Sequence, residues 1–291
     1  LYKAPQLHGM SIQSGNNIHE HLDLIAGLPY EDYDSFGRSF DEIYELKPNQ
    51  LQLGFLKVLK GSYMFEHAAE YGIVYHDKPP YEVMSTKWLS FDDVIKIKRV
   101  EEMLEVYYNS GQFEITMKLM ECIFDSAFEF FQELGDFYEA NGYFGMSHSR
   151  IRRCEILLEF LALYLHGCDS DAMTSVGLFE NHGDRDNTDF DENAQIYSMI
   201  QESLIFDLYY RENCKSRPRW ATDIGSFKHM THAYCKNGKL SHVEPFHYIF
   251  PYKHMRKLDE LPKYHKEPVW ALFHYDMRDP LDHQALVEYV E

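Results

Sequence analysis

The stretch His19–Tyr30, HEHLDLIAGLPY, constrains this chain more than any other. Ile18, Leu22, Leu24 and Ile25 make an apolar run of strand length, and Gly27-Leu28-Pro29 breaks it. Glu31, Asp32 and Asp34 then crowd the first turn of a helix predicted to reach about Leu46, where acids complement the helix dipole. Lys47-Pro48-Asn49 stops that helix, and a second apolar run follows over 51–59, LQLGFLKVL. Strand, helix and strand of these lengths predict a right-handed βαβ unit with two parallel, buried strands.

The remaining chain has a different texture. Gly61-Ser62 opens a short helix predicted over Tyr63–Tyr71 and closed by Gly72. His76-Asp77-Lys78-Pro79-Pro80 reads as an extended linker, because each proline restricts itself and its predecessor. The linker sets the expected domains at 1–80 and 81–291. Ser90 is a predicted N-cap with Asp93 as its capping-box partner. Val100, Met103, Leu104, Tyr107 and Tyr108 then recur at helical spacing up to Asn109-Ser110-Gly111. Phe113, Met117, Met120, Phe124, Ala127, Phe131 and Leu134 predict one long second helix, interrupted at Gly135. A third carries Ile151, Cys154, Leu158, Leu161 and Leu165. Residues 167–193, rich in Gly, Asn and acids, read as a long solvated loop. A fourth helix is expected from about Glu192 to Tyr210, and the last 70 or so residues as a small α+β cap with strands near His247–Phe250 and Val269–Tyr275. Residues 1–16 have no clear period.

Charge and cysteine usage exclude some classes. The net charge is −19, and residues 81–204 alone carry 9 Lys and Arg against 24 Asp and Glu. A chain this acidic is a poor non-specific nucleic-acid binder. No apolar run approaches membrane-spanning length and no secretory signal is visible, so no membrane partner is expected. The five cysteines, Cys122, Cys154, Cys168, Cys214 and Cys235, are odd in number and more than ten residues apart. They argue against a disulfide framework and for a reducing, cytoplasmic compartment.

Several residues carry possible chemistry. His19, His21 and Asp23 share one face of the first strand by alternation. Such a face can hold a substrate or a metal, or bury a hydrogen-bonded histidine pair. Lys57 and Lys60 straddle the end of the second strand, where they meet either an anionic substrate group or solvent. Gly27, Leu28 and Pro29 follow a strand at the end where α/β barrels bind ligands, or form a plain structural turn. His229, His232 and Cys235 are spaced for one helical face but lack the fourth ligand and the C-x-x-C hook of a zinc site, so no metal is assigned. Arg211, Lys215, Arg217 and Arg219 complement a helix C-terminus, or bind phosphate or the acidic middle segment.

HLDLIAGLPYED followed by QLGFLKVLKGS resembles the last two strands of the radical SAM barrel, in the branch with the oxygen-independent coproporphyrinogen oxidase type of motif, D-L-I-x-G-L-P. YEVMSTKWLS, EVYYNSGQF and YYRENCKSRPRWA resemble the domain of unknown function (family 4080) that follows this barrel in many cobalamin-binding radical SAM proteins. The resemblance implies an α/β part followed by a mainly α part: the last βα units of a partial TIM-type barrel, then a helical accessory domain with a small α+β C-terminal cap. It implies S-adenosylmethionine and a 4Fe-4S cluster as cofactors, with cobalamin as the further cofactor of the proteins that carry this accessory domain. By resemblance Ile25 and the backbone near Gly27, in the turn with Leu28 and Pro29, lie against the adenine. His19, His21, Asp23 and Lys57 fall on the substrate side. The family's acid two residues after Leu28 is here Tyr30, with Glu31 next.

The family holds its cluster with cysteines spaced C-x3-C-x2-C, and no such spacing occurs in these 291 residues. The expectation is therefore the C-terminal part of a longer enzyme, with that enzyme's N-terminal part and an unidentified small-molecule substrate as partners. A reading from another class is a helical interaction module without activity of its own, docking through Phe and Met side chains.

Overall fold

The computed structural model describes residues 19–166, 192–235, 240–252, 258, 260–279 and 283–290. Residues 1–16, Cys168 and the expected loop up to 191 lie outside the described residues. Packing divides the chain into two compact units, Leu1–Ile97 and Lys98–Glu291.

In the first unit β1 (His21–Ala26) and β2 (Gln50–Phe55) pair in parallel, with His21 opposite Gln50 and Ala26 opposite Phe55. Helix α1 (Tyr33–Tyr44) joins them and packs on β1. Asp32 opens α1 with a capping box: its carboxylate accepts from the Ser35 amide at 2.8 Å, and Ser35 Oγ accepts from the Asp32 amide at 2.9 Å. Phe36, Phe40 and Tyr44, four residues apart, form its buried stripe. Lys47, at φ 52°, turns the chain out of the helix. Parallel pairing agrees with the sequence, but the strands are not buried on both faces. Ala26, Leu51, Leu53 and Phe55 are buried, whereas His21, Asp23 and Ile25 are exposed, because alternation turns them to the uncovered side. Parallel sheets are ordinarily covered on both faces.

Two four-residue helices, α2 (Tyr63–Glu66) and α3 (Ala68–Tyr71), replace the single predicted helix. They part at His67, whose backbone leaves helical geometry and whose Nδ1 lies 2.9 Å from the Tyr63 carbonyl oxygen. Gly72 closes α3 at φ 59°. Beyond it, β3 (Val74–Tyr75) pairs antiparallel with β4 (Val83–Ser85). The Pro79-Pro80 segment lies between these two strands, and the chain after it returns to the exit of β2. The Val58 amide donates to the Tyr81 carbonyl at 2.8 Å, and the Val83 amide to the Leu56 carbonyl at 2.9 Å. The division between units accordingly falls after Ile97. It lies inside α4 (Phe91–Leu104), which starts at the Ser90–Asp93 capping box.

The second unit is mainly helical. The long helix predicted from Phe113 to Leu134 is two helices, α5 (Glu114–Ile123) and α6 (Ala127–Ala140). The apolar step of three and four continues across the break, so it gives no warning of it. Phe124 and Ser126 are extended, and Ser126 caps α6 by accepting from the Glu129 amide at 3.0 Å. Gly135 does not interrupt α6; a Cβ there would sit 3.0 Å from Arg99 Cβ, so the glycine admits a close helix contact. Helices α7 (Arg150–His166) and α8 (Glu192–Arg211) follow, and α8 contacts both α5 and α7. Tyr197, Met199, Ile200, Leu204, Ile205, Phe206, Leu208, Tyr209 and Tyr210 bury α8 on nearly every side, as expected of a central helix. The C-terminal part holds the short α9 (Lys228–Tyr234) and an antiparallel sheet in the order β5 (Ser241–Tyr248), β6 (Tyr264–His274), β7 (Leu286–Val290). That sheet packs on α8 through Phe206, whose ring lies 5.3–5.7 Å from those of Phe246, Phe250 and Phe273. The whole is mixed α/β with small sheets; two parallel strands are described, not a barrel. Among the described residues no helix is long and apolar enough to cross a membrane.

Candidate functional site

The C-terminal ends of β1 and β2 form a rim built from close backbone contacts. Gly27 leaves β1 at φ 88°, and a Cβ there would meet Val83 Cγ1 at 2.7 Å. Both the left-handed backbone and the approach of β4 therefore require glycine. Leu28 to Glu31 form a turn closed by the Glu31 amide and the Leu28 carbonyl at 3.4 Å. With Pro29 second and Tyr30 third at φ 70°, this is a type II turn, whose third position ordinarily takes Gly or Asn.

Tyr30 is 69% exposed, yet its ring meets Trp88 at 4.6 Å and Tyr71 at 6.0 Å between centroids. The Tyr71 and Tyr63 hydroxyls lie 3.1 Å apart, and Tyr63 stacks on His67 at 3.8 Å. The bond to Tyr63 pushes the Tyr71 phenol up to about 12. Glu31, beside the rim, accepts from the Ser39 hydroxyl at 3.4 Å through Oε1, while its Oε2 is buried without a hydrogen-bond partner. Burial raises this carboxyl above its ordinary value.

Not all the substrate-side residues meet at this rim. Ile25, Leu28, Pro29 and Lys57 are at the rim, since Leu56 continues β2 from the level of Ala26 and exposed Lys57 follows it. His21 is at the opposite end of β1, roughly 13 Å below Ile25 at the strand rise per residue, and His19 precedes the strand. His21 Nε2 lies 3.0 Å from Asp23 Oδ1 on the open face, so these two do come together. Lys60 is exposed beyond β2.

The second unit gathers polar groups of which the sequence singled out only Arg217. Asp207 on α8 is 3% exposed and caps α5 from a distance, accepting from the Ile115 and Thr116 amides at 2.9 Å each and from the Thr116 hydroxyl at 2.7 Å. Phe113 offers α5 no side-chain cap of its own, which explains the borrowed one. Burial pushes Asp207 up to about 6 against the lowering effect of these bonds. Arg217, expected to end a helix or bind anions, pairs instead with buried Glu244, its Nη2 2.8 Å from Oε2, and also donates to Tyr209 Oη. His242 bonds the same Glu244 and stacks on Tyr209 at 3.7 Å. These partners come from β5 and α8, separated from Arg217 in sequence, so no local pattern marks them. Lys215 and Arg219 are exposed.

His229 and His232 on α9 are exposed, and Cys235 is bonded to Ser241. Among the described residues no three His, Cys, Asp or Glu side chains are grouped to hold a metal ion. Cys122, Cys154, Cys214 and Cys235 are free thiols, and burial raises that of Cys154 far above its ordinary value.

The architecture is thus a parallel βαβ unit with an aromatic rim, and a helical unit closed by an antiparallel sheet. The family described as "Protein of unknown function (DUF4080)" matches residues 69–287, well over half of the chain, and the chain belongs to that family. The strands β1 and β2 precede the matched span. No curated protein matches the chain.

Proposed function

We propose that this chain is the C-terminal part of a radical SAM enzyme, in which the first unit completes the barrel and the second shapes the substrate side. One observation carries this reading. The β1–β2 pair is parallel, apolar on the side of α1, and open on the side of His21, Asp23 and Ile25. Parallel strands need both faces covered, and the interior of a barrel would cover this one. In this reading Ile25 and the Gly27 backbone would meet the adenine of S-adenosylmethionine, with Leu28 and Pro29 setting the turn. Bound S-adenosylmethionine and a 4Fe-4S cluster would supply radical chemistry, and cobalamin as a third cofactor would support methyl transfer. The residues here would wall the pocket and orient the substrate, while Lys57 meets an anionic group of it.

Among the described residues no cysteine is grouped with two further ligands, and a four-iron cluster needs several thiolates within a few ångströms of one another, so this reading assigns the cluster to another part of the enzyme. Anaerobic reconstitution with iron and sulfide, followed by S-adenosylmethionine and dithionite, is expected to give no 5′-deoxyadenosine from these 291 residues. Stoichiometric iron with 5′-deoxyadenosine release would overturn the assignment of the cluster to another part of the enzyme. The enzyme reading itself is tested upstream of Leu1, where a C-x3-C-x2-C motif in the same open reading frame is expected. Its absence would favour the interaction module.

A further inference from the structure

We propose that His247 is a pH-sensitive joint, which ties the 265–268 stretch of β6 to α8 while its imidazole is protonated and frees that stretch when the ring is neutral. The proposal stands apart from the radical SAM reading. It starts from the register of the C-terminal sheet. Phe246 lies opposite Val269, but Tyr248 lies opposite Tyr264. His247 alone therefore faces four residues of β6, His265 to Pro268, and these leave the regular ladder with β5. Pro268 has no N–H to give to a ladder, and His265, Lys266 and Glu267 are exposed.

The β5 side of this gap is held by one carboxylate from α8. Glu202 Oε2 accepts from the amides of His247 at 2.8 Å and Tyr248 at 3.2 Å, and its Oε1 accepts from His247 Nδ1–H at 2.8 Å. Across the gap, the His247 ring stacks on Tyr264 with centroids 5.6 Å apart and planes 10° from parallel. Glu267, from the bulged stretch, adds a second negative charge that acts on the imidazole. The titratable groups that face His247 are thus Glu202 from α8, Glu267 and Tyr264 from β6, and Tyr248 beside it on β5. The bond to Glu202 raises the imidazole above the ordinary histidine value, with burial opposing and both carboxylate charges adding. A neutral imidazole still donates Nδ1–H to Glu202, so α8 and β5 stay joined at either charge. The attraction to Glu267 exists only when the ring is charged; without it two carboxylates flank a neutral ring. Because the folded value is raised, the closed form is complete below about pH 6.5 and is lost as pH rises through the folded value.

The test is NMR on the full chain from about pH 5.5 to about pH 9, a range that spans histidine titration. The His247 ring protons give its titration, and nitrogen relaxation of the Lys266 and Glu267 amides gives the order of the stretch. The order parameters are expected to be about 0.85 at the acid end and below about 0.6 at the alkaline end, with a midpoint that follows the ring. His247→Gln is expected to give the mobile values at every pH. Glu267→Gln is expected to do the same while its His247 still titrates above the ordinary value through Glu202. The amides of α8 are the internal control and are expected to stay rigid throughout. Order parameters that do not change, a midpoint that departs from that of the ring, a Glu267→Gln variant that keeps the full change, or loosening of α8 over the same range would each overturn the proposal.

Discussion

Replacing Gly27 by alanine tests the construction of the rim directly. Two costs combine. At φ 88° an L-residue loses roughly 1–2 kcal/mol relative to glycine. The new Cβ would also lie 2.7 Å from Val83 Cγ1 and 3.3 Å from Cγ2. Val83 is 2% exposed and stiff about χ1, so the overlap is relieved only by backbone movement, at about 1–3 kcal/mol. Gly27→Ala should therefore destabilise the first unit by about 2–5 kcal/mol. Val83→Ala alone removes two buried methyl groups and should cost about 2 kcal/mol. In the double variant the overlap disappears but the backbone cost remains, so the two changes should couple favourably by about 1–3 kcal/mol. Urea unfolding followed by Trp88 fluorescence reports on this unit once Trp220 and Trp270, the other two of the three tryptophans, are replaced by Phe. A coupling below about 0.5 kcal/mol would refute the close approach of β4 to β1 as the reason for glycine at this position.

Other expectations can be checked separately. Asp207→Ala leaves two buried helix-end amides without their acceptor inside the second unit, while the Thr116 hydroxyl keeps Ser203, and should cost about 3–5 kcal/mol in denaturant unfolding; a loss under about 1 kcal/mol would show that α5 does not depend on this cap. His247 Nδ1–H donates to Glu202 Oε1 at 2.8 Å, and this bond raises the histidine's pKa above its ordinary value. A raised folded-state pKa means stability that is complete below about pH 6.5 and lost as pH rises through the folded value. Glu202→Gln should flatten that part of the pH profile, and an unchanged profile would show that the pair does not contribute.

Much of the fold is legible in local pattern. The strand–helix–strand order, the caps at Asp32 and Ser90 and the central helix from Glu192 depend on neighbours a few residues away, where periodicity and hydrogen-bonding side chains act. The split at Phe124–Ser126 was not legible, because the apolar step runs through it unbroken and only Ser126 hints at a new start. The rim was legible as far as Gly27-Leu28-Pro29. Its aromatic layer was not, since Tyr71 comes from α3, far along the chain from Tyr30, and Trp88 reaches Tyr30 only after the chain has passed the proline linker and folded back on β2.

By itself the sequence determined the parallel pairing, the helical nature of the second unit, and the absence of a cluster-binding cysteine spacing. These follow from period, composition and reach along the chain. Tertiary structure alone decided that Ile25 is exposed while Ala26 beside it is buried, that Asp207 caps a helix some ninety residues earlier, and that Arg217 is committed to Glu244. Each depends on which surfaces meet across long stretches of chain. A pairwise contact of that kind leaves no mark in local periodicity, because either partner looks the same with or without the other.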